Sequence, residues 1–160
     1  MAITSHSKLV KVVVSLILFM MMSSSFQLSH AAYVFNVIRY GAKADGKTDS
    51  TKAFLRAWGA ACGSRTAATV HVPKGNFLIK AAVFRGPCRE RITVQIDGTL
   101  VAPSNYWALG NSGYWILFIK VNRLAVYGGT LDANGSAFWA CRRLGKNCPV
   151  GARVSVAVYI

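Results

Sequence analysis

The chain has 160 residues, 53% of them hydrophobic, and a formal net charge of +14. That length suits a single domain. The charge favours polyanionic partners, because it creates a field that attracts them without deciding the fold.

In chain order, Lys8 and Lys11 lead into a largely apolar run over residues 12–22, followed by "SSSFQLSHAA" with small residues at Ala31 and Ala32. This is the layout of a secretory signal peptide over residues 1–32. A membrane span needs about 20 apolar residues, and this run is too short for one. Without the leader, seventeen basic residues face five acidic ones over residues 33–160, a net charge of +12. For an exported chain, acidic polysaccharide is the expected partner rather than nucleic acid. No basic amphipathic helix points to a membrane surface.

Residues 33–38 alternate as a strand and run into a Gly-, Asp- and Lys-rich turn. A helix is expected over residues 50–62, capped by Thr48 or Asp49. Ala53, Phe54, Ala57, Trp58 and Ala61 fall on one face, and Gly63 ends it. The rest reads as strands and turns. "TVHVP" comes first, then "NFLIKAAVF", then "RITVQIDGTLVAP" with an Asp-Gly interruption. "YWILFIKVNRLAVYGGTLDANG" holds two apolar runs divided near Asn122 and Arg123. Short strands with one helix indicate an all-β domain. "GTLVA" at Gly98 and "GTLDA" at Gly129 repeat at an offset of 31 residues, as coils of a β-solenoid would, although two similar hairpins of a sandwich would also give this pattern.

The four cysteines, Cys62, Cys88, Cys141 and Cys148, all follow the leader. An even count in an exported chain favours disulfides. Three connectivities are open, and proximity in sequence favours Cys62–Cys88 with Cys141–Cys148. The spacings match no zinc module, so no metal or cofactor is expected.

The blocks "FNVIRYGAKADGKTDSTKAFLRAWGAAC", "VHVPKGNFLI", "GPC", "VQIDGTLVAP" and "GGTLDANGSAFWACRRLGKNCPVG" occur in that order. Together they resemble the plant members of the polygalacturonase family of pectin-degrading glycoside hydrolases, from Tyr33 to about Ala152. The resemblance implies a right-handed parallel β-helix with an N-terminal capping helix, of which this chain holds the first coils and stops on the C-terminal side. It implies polygalacturonate (pectin) as substrate, cleaved at α-1,4 linkages with inversion, outside the cell in the wall. The final "RVSVAVYI" departs from the family pattern. Its apolar open edge predicts association between copies.

Inversion needs two carboxyl groups about 6.5–9.5 Å apart, one acid and one base. The family supplies them from an Asn-Thr-Asp motif and an Asp-Asp pair, with a Gly-His-Gly histidine and an Arg-Ile-Lys clamp. None of these motifs is in this sequence, so no catalytic residue is assigned and the chain alone is expected to be inactive. An alternative reading is a non-catalytic pectin-binding protein. Of the five acids, Asp45 and Asp49 flank the turn before the helix. Glu90 lies between Arg89 and Arg91, and Asp97 marks an Asp-Gly turn. Aligning the repeats puts Asp132 opposite Val101 and about 13 Å from Asp97 along the strands, too far for a pair. Asp132 therefore reads as a turn residue that bonds its own main chain, with substrate contact as the lesser role. His71 reads as a structural or surface residue. Phe138 and Trp139 either stack on sugar rings or anchor the loop closed by Cys141 and Cys148. Arg142 and Arg143, with Lys146, are candidates for uronate carboxylates. Asn134, in Asn-Gly-Ser, is a glycosylation acceptor sequence.

Overall fold

A computed structural model describes residues 10–11, 13–17, 32–111, 113–149 and, for the backbone, 156–159. The chain divides into residues 1–30 and 31–160. In the first unit, residues 10–11 and 13–17 are helical. Most of the expected leader, including Ala31, lies outside the described residues. No helix among the described residues is long and apolar enough to cross a membrane.

Among its described residues, the second unit contains eleven short strands. β1 (Tyr33–Asn36) leads into a 3-10 turn, Val37–Tyr40, and then β2 (Asp45–Asp49) and helix α1 (Thr51–Cys62). The chain continues through β3 (Ala68–Val72), β4 (Asn76–Leu78), β5 (Ala82–Arg85), β6 (Ile92–Ile96) and β7 (Thr99–Val101). A second 3-10 turn, Tyr106–Leu109, precedes β8 (Ile116–Ile119), β9 (Leu124–Tyr127) and β10 (Thr130–Asp132). Helix α2 (Ser136–Arg143) and β11 (Val156–Tyr159) follow.

Every strand pairing is parallel. Three sheets form, in the orders β1-β3-β6-β9, β2-β4-β7-β10 and β5-β8-β11. From β3 onward, successive strands visit the three sheets in rotation, which is consistent with a parallel β-helix. The register accounts for the sequence repeat. Thr130 pairs with Thr99, Leu131 with Leu100 and Asp132 with Val101. The repeated glycines lie where one coil presses on the one before. A Cβ on Gly98 would come within 2.5 Å of the Pro73 carbonyl oxygen, and one on Gly129 within 2.2 Å of the Ile96 side chain, so neither position tolerates a side chain.

Several expectations change. The "NFLIKAAVF" run is two strands in different sheets, because the strand stops at Leu78 and the chain bends at Ala81, after the fully buried Ile79. Its carbonyl accepts the indole N–H of Trp115 at 2.8 Å, and its own N–H reaches Val101 O at 2.9 Å. The polar segment read as a turn is β2, paired with β4 across an irregularity. A second helix, α2, occupies the loop expected between Asn134 and Cys148.

Helix α1 begins at Thr51, and its N-cap is Ser50 rather than Thr48 or Asp49. Ser50 is buried, and its hydroxyl accepts the Lys43 N–H at 3.0 Å. Asp49 still accepts the Thr51 N–H at 3.0 Å and pairs with Lys80 at 3.2 Å. Phe54 and Trp58 turn into the core. Trp58 packs on Phe84 and Phe118, with centroids 5.3 and 5.4 Å away, and its indole N–H donates to Arg85 O at 2.9 Å. Phe84 and Phe118 are register neighbours in one sheet and stack at 5.0 Å. The Cys62–Cys88 disulfide ties the end of α1 to the turn after β5, and Cys141–Cys148 closes the loop after α2. This is the pairing that proximity favoured.

Candidate functional site

The five carboxylates are all committed locally. Asp45 accepts the Thr48 hydroxyl at 2.6 Å, the Thr48 N–H at 2.8 Å and the Lys47 N–H at 2.9 Å. These bonds, the hydroxyl first, hold its pKa down to about 2. Asp49 bonds Thr51 and Lys80 as above. Glu90 lies 3.6 Å from Arg123 of the next coil, not paired with its sequence neighbours Arg89 and Arg91. Asp97 accepts the Gln95 amide at 2.9 Å and lies 2.7 Å from His71 Nε2. Those bonds, Gln95 first, lower its pKa. His71 and Gln95 are opposite each other in register on β3 and β6, so Asp97 bridges adjacent coils. Asp132 accepts the Asn134 N–H at 2.9 Å in an Asx turn.

Asp132 is exposed at the end of β10. Asn134 has a φ of 47°, and its amide reaches Ala102 O at 3.4 Å. It borders a recess of about 290 Å³ lined also by Lys47, Pro103, Ser104 and Asn105. Among the described residues, no group of three or more His, Cys, Asp or Glu could hold a metal ion.

Helix α2 separates the two aromatic candidates. Phe138 is buried against Cys141 and Cys148, as the loop-anchoring alternative expects and sugar stacking does not. Trp139 is 59% exposed. Arg142 and Arg143 follow Trp139 by three and four residues, so all three share one helix face. Both arginines are exposed. The structure adds two residues that the sequence reading passed over. Tyr106 packs edge-on against Phe138 at 5.9 Å, and Trp107 lies 5.8 Å from Tyr106. The available signal was an aromatic doublet recurring at an offset of 32, Tyr106-Trp107 and Phe138-Trp139, shortly after each "GTL".

The model of glycosyl hydrolases family 28 matches residues 62–154. This chain belongs to glycosyl hydrolases family 28. It is 49% identical over 138 residues to a polygalacturonase of Prunus persica, covering 85% of this chain and 35% of that protein. It is 43% identical over 120 residues to polygalacturonase-2 of Solanum lycopersicum, covering 72% and 26%. An exopolygalacturonase of Zea mays is 41% identical over 107 residues, covering 66% and 26%. The chain thus spans about a third or less of the length of these relatives. The family match takes in the turns holding Glu90, Asp97 and Asp132, together with all of α2.

Proposed function

We propose that residues 33–160 form the first coils of a right-handed parallel β-helix of a secreted pectin hydrolase, with α1 as its N-terminal cap. These coils bind polygalacturonate without hydrolysing it. The observation that carries this reading is the engagement of all five carboxylates in turns and coil-to-coil bonds. An inverting hydrolase instead needs two carboxyl groups about 6.5–9.5 Å apart that flank the scissile bond, one to protonate the leaving oxygen and one to activate a water. Hydrolysis as the relatives' names describe it requires acids that this chain does not carry. Residues 1–32 are the export signal, and the two disulfides suit an oxidising extracellular or cell-wall location. Asn134 is the proposed glycan acceptor.

The same observation favours the second reading, a pectin-binding protein without activity. In both readings the positive charge attracts uronate chains. The expected result is retention on immobilised polygalacturonate at low salt, with elution as ionic strength rises. Passage through the column without delay contradicts the proposal.

A further inference from the structure

The cluster around α2 is separate from the main core. Phe138, Cys141 and Cys148 form its buried part, with Tyr106 packed against them. Two indoles extend from this inner group into solvent. Trp107 is 53% exposed and touches Tyr106, and Trp139 is 59% exposed and touches Phe138 with centroids 5.5 Å apart. The Trp139 indole lies over Gly135, where a Cβ would come within 3.4 Å of its ring nitrogen. Neither indole N–H has a hydrogen-bond partner among the described residues. Large exposed aromatics fixed on a rigid base have an apolar face and a polar handle to offer a ligand.

The charge beside them is one-sided. Arg142 and Arg143 lie on the Trp139 face of α2, and Lys146 follows in the loop closed by the disulfide. All three are exposed, and none pairs with a carboxylate among the described residues. Elsewhere Lys80, Arg123 and His71 each have an acidic neighbour. The one acid near α2 in sequence, Asp132, is occupied by its own turn.

We propose that Trp107, Trp139, Arg142 and Arg143 form a subsite for a uronate-bearing stretch of acidic polysaccharide. The indole faces stack on the apolar faces of sugar rings, and the guanidinium groups pair with ring carboxylates. The subsite rests on the pectin reading above only for the identity of the uronate. It needs no catalytic group, so it serves to hold the chain. The two aromatic doublets come from successive coils, so the pair of indoles exists only when those coils stack.

Binding of the full chain to polygalacturonate oligomers tests this, with a neutral galactan as control ligand. Trp139→Ala keeps the charge and is expected to weaken polygalacturonate binding roughly tenfold. Arg142→Gln/Arg143→Gln is expected to weaken it at least as much. Arg89→Gln/Arg91→Gln removes the same charge from the turn between β5 and β6 and is expected to change binding much less. Equal losses from the two double variants, or wild-type binding by Trp139→Ala, overturn the subsite and leave the pectin reading standing. Binding to another uronate polymer, but not to polygalacturonate, that depends on Trp139 and Arg142 supports the subsite and removes the pectin reading. No binding to any uronate polymer overturns both. Unchanged circular dichroism of each variant separates these outcomes from misfolding.

Discussion

Register partners on neighbouring strands carry similar residues and bury them very differently. Val94 on β6 is 8% exposed, and its register partner Val126 on β9 is 46% exposed. Leu100 on β7 is 5% exposed, and its partner Leu131 on β10 is 43% exposed. Helix α1 packs against β1, β3 and β5 and sinks Phe54 and Trp58 to 3% and 4% exposure. In this architecture a side chain is buried by the neighbouring coil or by a helix, and not by its own strand. Sequence alternation therefore identifies which residues point inward, but not which are covered. Among the described residues, β9, β10 and β11 are the last strands of their sheets.

Breaking the part covered by α1 should have the largest effect. Trp58→Ala removes the ring that contacts Phe84 and Phe118 together with its bond to Arg85, and about 3–5 kcal/mol of stability should be lost in urea unfolding. A loss below about 1 kcal/mol would mean that α1 does not seal the core. The comparison sharpens with one substitution made at both register partners. Leu100→Ala should cost about 2–5 kcal/mol. Leu131→Ala, half in water already, should stay within about 0.5 kcal/mol. Equal costs would show that some other part of the protein covers β10.

How much of this was legible from the sequence depended on where the coils turn. The "GTL" repeat gave the correct register between β7 and β10, because glycine is the only residue that fits where Gly98 and Gly129 press on the preceding coil. Phe54 and Trp58 were legible from helical spacing. The break between Leu78 and Ala82 was not, since no Gly or Pro marks it and it is fixed by bonds to Trp115, Val101 and Thr51. β2 is polar, and it becomes a strand only through its pairing with β4. Tyr106 and Trp107 showed no strand or helix period. Their role came from Phe138 one coil later, which brings the aromatic doublets together.

Acid should produce a smaller effect. Asp45 and Asp97 have pKa values lowered by the hydrogen bonds of Thr48 and Gln95 respectively. Each therefore stabilises the folded chain above the ordinary carboxylate pKa of about 3.9. That contribution is lost as pH falls through the folded values, which lie at about 2 for Asp45 and below the ordinary value for Asp97. The melting temperature of the wild type should fall more steeply over this range than that of Asp45→Asn/Asp97→Asn. Parallel curves would remove the Asp45 turn and the Asp97 bridge from the account of what stabilises the fold.

The most direct measurement is the release of reducing ends from polygalacturonate by the full chain, followed over hours beside a buffer blank and the Asp132→Asn and Asp97→Asn variants. The five committed carboxylates predict no release above the blank from any of them. Release by the wild type that disappears with Asp132→Asn or Asp97→Asn would contradict the account, because a carboxylate assigned here to the scaffold would be carrying out catalysis.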